Sequence, residues 1–331
     1  MTLLITGGTG FVMSNLGRHW LEANPAATAV VLDAAAWDPA VERFFAPVRD
    51  RLTFVQADVL DPAAWERLAA GHDITHIVHG ATITPLDSAS EQARPRQILE
   101  VNIMGTVNAL EFARRLPSLQ RFIYVSSGAV YGEALPGTPD VPVPEDGHVA
   151  PAEFYGITKY ASELITRHYG QAFGLPVVGV RLSGVYGPMD RATPARNVQS
   201  LVYRLVHVAL SGRPLKVTSF EAGGDWIHAQ DIARALSALL AAPNLKHPTY
   251  NIAQGEFTTV AELVEIVREV VPGLRASVTP EADADIAQDP ERRLGRWSDY
   301  DISRLRDDCG WRPRPIRAAL QSYVAWVREN E

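Results

Sequence analysis

Tyr155-Gly156-Ile157-Thr158-Lys159 puts a phenol and an ammonium at positions i and i+4, on one face of a helix. The chain has only three lysines, Lys159, Lys216 and Lys246, and 10 tyrosines. At those frequencies the spacing arises by chance about 0.1 times, so it carries information. A free phenol is a poor base at neutral pH, but a neighbouring cation stabilises the phenolate and makes it a proton acceptor for a substrate hydroxyl. Upstream, Val125-Ser126-Ser127-Gly128-Ala129-Val130-Tyr131-Gly132 closes a strand-like run. Parallel-sheet enzymes bind ligands at the carboxyl ends of strands, so Ser127 is expected to face that crevice.

The segment Leu3-Leu4-Ile5-Thr6-Gly7-Gly8-Thr9-Gly10-Phe11-Val12-Met13 reads as a strand, a glycine turn and a helix start. Such a turn lets backbone approach a pyrophosphate, and the helix N-terminus favours its negative charge. Gly7, Gly10, Phe11 and Val12 are therefore candidate dinucleotide contacts. Asp33 ends the second strand-like run, where a carboxylate can accept hydrogen bonds from an adenosine ribose and repel a 2′-phosphate. Residues 34–38 contain no arginine or lysine, so the reading is NAD rather than NADP. Met13 departs from the pattern, because a third small residue is usual three positions after Gly10. A helical side chain leans toward the N-terminus. Met13 then either crowds the pyrophosphate site and loosens the cofactor, or tucks sideways beside Gly17 as filler.

The elements that must position these groups follow from hydrophobic periodicity. Valine- and isoleucine-rich runs at 3–6, 29–33, 52–56, 74–79, 121–126 and 177–181 read as strands buried on both faces. Helical patterns at 11–23, 62–70, 96–116 and 153–173 separate them. This βα alternation predicts an α/β fold, a Rossmann-type doubly wound parallel sheet. Beyond Gly187 the regularity drops. Helices are predicted at 198–210, 230–240, 260–270 and 316–328, with short strands at 215–218, 226–228 and 250–252. The division is an NAD-binding domain at 1–182, with segments near 225–253 returning to it. A smaller mixed α/β C-terminal region, 183–331, is mostly substrate-binding.

At 331 residues the chain suits about two domains. With 47% hydrophobic and 21% charged residues it has the balance of a globular protein, which excludes a wholly disordered or collagen-like chain. The formal net charge of −7 argues against nucleic acid or an anionic membrane as partner. No apolar stretch approaches the roughly 18 residues of a spanning helix, and the N-terminus lacks the pattern of a signal peptide. Cys309 is the only cysteine, so an intrachain disulfide is excluded and a reducing cytoplasm is the expected compartment. His72, His76 and His79 do not form a metal site on this reading, because residues three apart on a strand face opposite sides. No metal is expected. Trp311 and Trp326 read as core.

Taken together, the chain resembles the extended short-chain dehydrogenases/reductases, in their NAD-dependent epimerase/dehydratase branch. The resemblance runs through the glycine turn, Asp58-Val59, His79-Gly80-Ala81, Asn102 before Gly105-Thr106, Ser127, Tyr155/Lys159, and Arg181 ahead of Tyr186-Gly187-Pro188. It continues through Asp225-Trp226-Ile227-His228, Asp231, Tyr250-Asn251-Ile252, and Asp301-Ile302-Ser303 before Gly310-Trp311. It implies Tyr155 as general acid or base, Lys159 on the nicotinamide ribose, and Ser127 on the reacting oxygen. Asp58 and Val59 would contact adenine, with Gly80, Ala81 and Asn102 completing the cofactor site. Thr82, Ser127 and Gly128 would face the substrate. The resemblance also implies a homodimer joined through the helices at 96–116 and 153–173.

The departures from that pattern bear on the reaction. Dehydratases of this branch place Thr-Asp-Glu where this chain has Ser127-Gly128-Ala129, so a dehydratase is disfavoured at this stage. Nucleotide-sugar epimerases carry an asparagine where this chain has Gly184 and an arginine where it has Gly224. A sugar acid, polyol or sugar phosphate is therefore a rival substrate. Arg191, Arg196, Arg292 and Arg293 are candidates to pair with an anionic group. The leading expectation is NAD-dependent hydride transfer at a secondary hydroxyl of a carbohydrate, of the epimerase type performed by nucleotide-sugar 4-epimerases. The alternatives are a dehydrogenase of a free sugar, sugar acid or polyol, and a non-catalytic dinucleotide sensor.

Overall fold

The computed structural model describes residues 1–85, 88–132, 141–196, 198–288 and 299–331. Strands β1 (Thr2–Thr6), β2 (Thr28–Asp33), β3 (Leu52–Gln56), β4 (His76–His79), β5 (Arg121–Ser127) and β6 (Val177–Leu182) join one parallel sheet. Later come β7 (Gly184–Tyr186), β8 (Leu215–Val217), β9 (Gly223–Gly224) and β10 (Trp226–His228), followed by β11 (Thr249–Ile252), β12 (Thr258–Thr259) and β13 (Ala276–Val278). The large sheet has seven strands in the order β11-β6-β5-β4-β1-β2-β3. Strand β11 pairs in parallel with β6, Tyr250 beside Val180. Strand β1 lies between β2 and β4. The chain order reverses there, and ligands bind at such a point at the carboxyl ends of the strands.

Helices α1 (Phe11–Ala23), α2 (Pro39–Phe45), α3 (Pro62–Gly71), α4 (Ser88–Ala93), α5 (Pro95–Leu99), α6 (Gly105–Ala113) and α7 (Phe154–Phe173) connect the strands of the first half. The second half adds α8 (Leu201–Leu210), α9 (Ala229–Ala241), α10 (Val260–Val270), α11 (Ser303–Cys309) and α12 (Ile316–Asn330). One apolar layer packs α1, α9 and α11 on the sheet through Leu16, Trp20, Leu236 and Leu305. The opposite layer packs α3, α6 and the α7 side through Trp65, Leu110, Phe112 and Tyr124. A further cluster around Val206, Leu263, Val267 and Tyr323 joins α8, α10 and α12. Trp311 is buried in the first cluster, and Trp326 packs against the first and the last.

The expected single helix over 96–116 is interrupted. Between α5 and α6 the turn Glu100–Met104 widens to a π-helix. The cause is visible at Asn102, whose carbonyl accepts the hydroxyls of Thr106 (2.7 Å) and Ser162 (2.9 Å). Side-chain donors inserted into the helical ladder open it locally. Helix α2, absent from the expectation, starts on Asp38, whose carboxylate accepts from the Ala40 and Val41 N–H groups, with Pro39 in the first turn.

Helix α7, which carries Tyr155 and Lys159, is tied to the sheet by a buried ion pair. Arg181 on β6 donates through Nη2 (2.6 Å) and Nε (3.0 Å) to the Glu163 carboxylate. The two side chains are 4% and 7% exposed, so water cannot replace either partner. Removing one partner strands a buried charge, which costs about 3–5 kcal/mol. Glu163→Ala is therefore expected to lower unfolding free energy by about that amount in urea denaturation. A double variant, Arg181→Met with Glu163→Leu, is expected to recover most of the loss.

Candidate active site

A cleft of about 1210 Å³ opens along the carboxyl ends of the sheet strands, between the glycine turn and the segment 191–204. Its floor begins at Gly7, which has φ +70, and a Cβ there would lie 2.9 Å from the Ala81 backbone. The turn after β1 and the turn after β4 therefore touch, and only glycine permits it. Thr6 Oγ1 locks the second turn by accepting the Gly80 and Ala81 N–H groups, each at 3.2 Å. Gly10 caps α1 with no side chain, and Ser14 N–H already bonds the Gly10 carbonyl. The first-turn N–H groups of Phe11 and Val12 thus open onto the cleft at the positive end of a helix.

Asp33 sits at the end of β2. Its Oδ2 accepts the Thr9 N–H (3.0 Å) and hydroxyl (2.7 Å), and its Oδ1 accepts the Ala35 N–H. Asp58 and Val59 follow β3 and line the same end of the cleft. Met13 is buried, with its thioether against Gly80: a Cβ on Gly80 would meet Met13 Cγ and Sδ at 2.5 Å. Helix α1 stays regular from its first turn. Met13 therefore packs beside Gly80 rather than Gly17, where it also lines the cleft.

Ser127 ends β5, and its Oγ accepts the Ala129 N–H (3.2 Å), which fixes the rotamer. Tyr155 lies in the first turn of α7. Burial pushes its phenol above the usual range, while hydrogen bonds to Ser127 and Thr84 and the positive charge of Arg196 pull it down. Lys159 is buried one helical turn on. Its Nζ donates to the Val125 carbonyl (2.8 Å) and lies 5.7 Å from the Tyr155 ring centre. Burial lowers this amine to about 7.

Other sequence candidates fall in different places. Asn102 is buried away from the cleft wall, contrary to its expected cofactor role. Its amide accepts from the Ile83 N–H (2.8 Å) and the Thr82 hydroxyl (3.1 Å), and donates to the Ile83 carbonyl and Thr158 Oγ1. It holds the post-β4 loop to α7 and has no bond left for a ligand. Arg196 pairs with buried Asp190 and lies over the Phe11 ring at 5.2 Å. Arg191 reaches the adenosine end of the cleft, where residues 34–38 alone offered no cation. Arg292 and Arg293 lie outside the described residues. Among those described, no cluster of histidine, cysteine, aspartate or glutamate could hold a metal ion. No described helix is long and apolar enough to cross a membrane.

Lining residues that the sequence reading did not single out include Thr84, Arg94, Arg204 and Tyr300. Each reaches the cleft by tertiary folding, with no local spacing to mark it. Tyr300 is informative, because a Cβ on Gly128 would lie 2.2 Å from its hydroxyl. A phenol thus occupies the space next to Ser127 that a side chain at 128 would fill.

These features match known proteins. The model of the NAD dependent epimerase/dehydratase family covers residues 3–253. The chain belongs to the NAD-dependent epimerase/dehydratase family. Its relatives include a dTDP-glucose 4,6-dehydratase of Neisseria gonorrhoeae, 30% identical over 99% of this chain and 96% of that one. The fold matches a UDP-glucose 4-epimerase of Thermotoga maritima solved with UDP-glucose, at TM-score 0.80 and 22% identity, covering 99% of both chains. It also matches a UDP-glucuronic acid 4-epimerase of Bacillus cereus solved with UDP-glucuronic acid and NAD, at TM-score 0.80 and 23% identity, covering 100% of both.

Family membership brings NAD as the cofactor, and the Gly7–Ala81 cradle, the open α1 N-terminus and Asp33 fit a dinucleotide. The expectation that dehydratase chemistry is disfavoured does not hold. The family includes dehydratases, and dTDP-glucose 4,6-dehydratases are related to this chain over nearly its whole length. The missing carboxylates at 128 and 129 therefore do not exclude that reaction.

The chain's three lysines make Lys159 directly observable. With its folded pKa near 7, below the unfolded value, the unfolded chain binds the proton more tightly between about pH 7 and 10. Stability from this group is therefore gained as pH rises through that window and absent below it. In ¹⁵N-lysine spectra of the cofactor-free protein, the signal lost in Lys159→Met should titrate near pH 7. The urea stability of wild type relative to that variant should rise from pH 7 to 9.

Proposed function

We propose that the protein is an NAD-dependent enzyme acting at a secondary hydroxyl of a sugar or sugar derivative, with an epimerase-type outcome. The observation that carries this reading is the convergence of Ser127, Tyr155 and Lys159 with the dinucleotide cradle in one cleft. NAD bound there would accept hydride from the substrate carbon and, in epimerisation, return it to the opposite face. Tyr155 takes the hydroxyl proton as the alcohol becomes a carbonyl and gives it back on reduction. Ser127 holds the reacting oxygen, Lys159 holds the nicotinamide ribose, and Thr84 keeps the phenol oriented. Gly7, Gly10, Phe11 and Val12 cradle the pyrophosphate, Asp33 holds the adenosine ribose, and Asp58 and Val59 hold the adenine.

The cleft volume exceeds the roughly 300–1,000 Å³ usual for one small ligand, leaving room for a substrate beside the cofactor. Arg94 and Arg204 line that remaining space and suit the diphosphate of a nucleotide sugar. One observation favours a smaller substrate and a dehydrogenase. Trp226 fills the space beside both Gly184 and Gly224, where a Cβ would lie 2.6 and 3.1 Å from its ring. The two readings separate on product. Nucleotide sugars, sugar acids and polyols are incubated with NAD, and both NADH and the sugar product are followed. Inverted sugar without accumulated NADH supports the epimerase, and stoichiometric NADH supports the dehydrogenase. A dehydrated keto-sugar would identify the elimination known among the relatives. Tyr155→Phe should lower kcat about 10²-fold or more with NAD affinity little changed. Near-normal turnover would remove the proton relay from the mechanism.

We also infer a homodimer through α5–α7 and a cytoplasmic enzyme. Leu99, Met104, Phe154 and Ile157 are exposed on these helices and their connecting turn, and the sole cysteine suits a reducing compartment. Sedimentation equilibrium should give the dimer mass, and Ile157→Glu should shift it toward monomer. A monomer throughout a micromolar concentration series would contradict the assembly.

A further inference from the structure

Arg191 stands between two parts of the chain that close on the cleft from opposite sides. It follows β7 on a segment pinned at several points. The Asn15 amide of α1 donates to the Pro188 carbonyl (2.8 Å), Arg196 pairs with Asp190, and the Thr84 N–H bonds the Ala195 carbonyl (2.9 Å). From this arm the Arg191 guanidinium crosses to the cofactor side. Nη1 pairs with Asp38 Oδ2 at 2.5 Å, and Nη2 donates to the Thr9 carbonyl at 3.4 Å. Thr9 belongs to the glycine turn, and Asp38 is itself held as the cap of α2. The guanidinium plane is therefore set from both ends.

Its third donor is not used. Arg191 Nε is buried and has no partner in the protein, and a buried donor left without an acceptor is unfavourable. Arginine presents its donors as a planar fork suited to phosphate oxygens. The neighbouring cleft wall is the glycine turn and the first turn of α1, whose free N–H groups already favour an anion. We propose that Arg191 is a cofactor-holding residue rather than a substrate residue. Its Nε–H donates to the pyrophosphate of NAD, and Asp38 fixes the guanidinium for that contact. The inference rests on the dinucleotide reading of the cleft. It also reconciles an arginine at the adenosine end with NAD over NADP. Asp38 neutralises the guanidinium, and Asp33 lies beside the same Thr9, so no net positive charge awaits a 2′-phosphate.

The test is binding to the cofactor-free protein. NAD and ADP-ribose are titrated calorimetrically, and adenosine, which lacks the pyrophosphate, is titrated by NMR. The proteins are wild type, Arg191→Ala, Arg191→Lys and Asp38→Asn, each checked by thermal unfolding. Arg191→Ala should weaken NAD and ADP-ribose about tenfold or more and leave adenosine unchanged. Arg191→Lys should restore part of the loss, and Asp38→Asn should weaken NAD by a few-fold. NAD affinity in Arg191→Ala within twofold of wild type would overturn the proposal. Equal loss of adenosine and ADP-ribose, showing a disturbed pocket rather than a lost phosphate contact, would overturn it as well. Absence of NAD binding by the wild type would overturn the dinucleotide reading itself, and this inference with it.

Discussion

Arg181 and Glu163 stand 2.6 Å apart with almost no access to water, one on the sheet and the other on the helix that carries Tyr155 and Lys159. Neither charge tolerates another position, so the helix has one register on β6. The pair extends into a network. Arg181 also donates to the Glu145 carbonyl, Glu145 accepts the Asn251 N–H of β11, and the Thr249 hydroxyl reaches Glu163. Arg304 adds a second cation on Glu145. Strands β6 and β11, helix α7 and the 141–147 segment thus share a single set of charges. Their rigidity places Tyr155 opposite Ser127.

The second constraint is backbone proximity at the other end of the cleft. Gly7 against Ala81 brings the carboxyl ends of β1 and β4 close enough for one ligand to touch both turns. Asn102 performs the matching task for α7, bonding at once to the post-β4 loop and to Thr158. The widened turn at Glu100–Met104 is the local cost of that link, because the Asn102 carbonyl serves Thr106 and Ser162. Resemblance to a family identified Asn102 as important but misplaced its action. It positions the site from behind the cleft wall.

Much of this architecture was legible along the chain. Helices α1 and α10 coincide with their predicted spans because a strong apolar period is bounded by clear end signals, in α10 a capping box of Thr259 and Glu262. The parallel strands were legible because burial on both faces leaves continuous apolar runs. Tyr155, Lys159, Ser127 and the glycine turn, which line one cleft, could be singled out because their residue types stand at a fixed local spacing. What depends on distant approach was not. Arg191 meets Asp38 across 153 positions, Tyr300 reaches Gly128 from the far end of the chain, and Trp226 explains Gly184 only once folded. Helix α2 went unseen for another reason: seven residues are about two turns, too short a run for the apolar period to stand out, and Asp38 before Pro39 was not read as a helix start.

The contact between Tyr300 and Gly128 also limits how this site can change by single substitutions. Any side chain at 128 collides with the Tyr300 hydroxyl, while shortening Tyr300 alone opens a void beside Tyr131 and Val130. Each change is unfavourable until the other is present. A descendant carrying an acidic group at 128 must therefore pass through an impaired intermediate or acquire both changes together. The two positions, 172 apart in the chain, behave as one heritable unit, and a survey of variants at 128 alone would score the position as intolerant when only its partner makes it so.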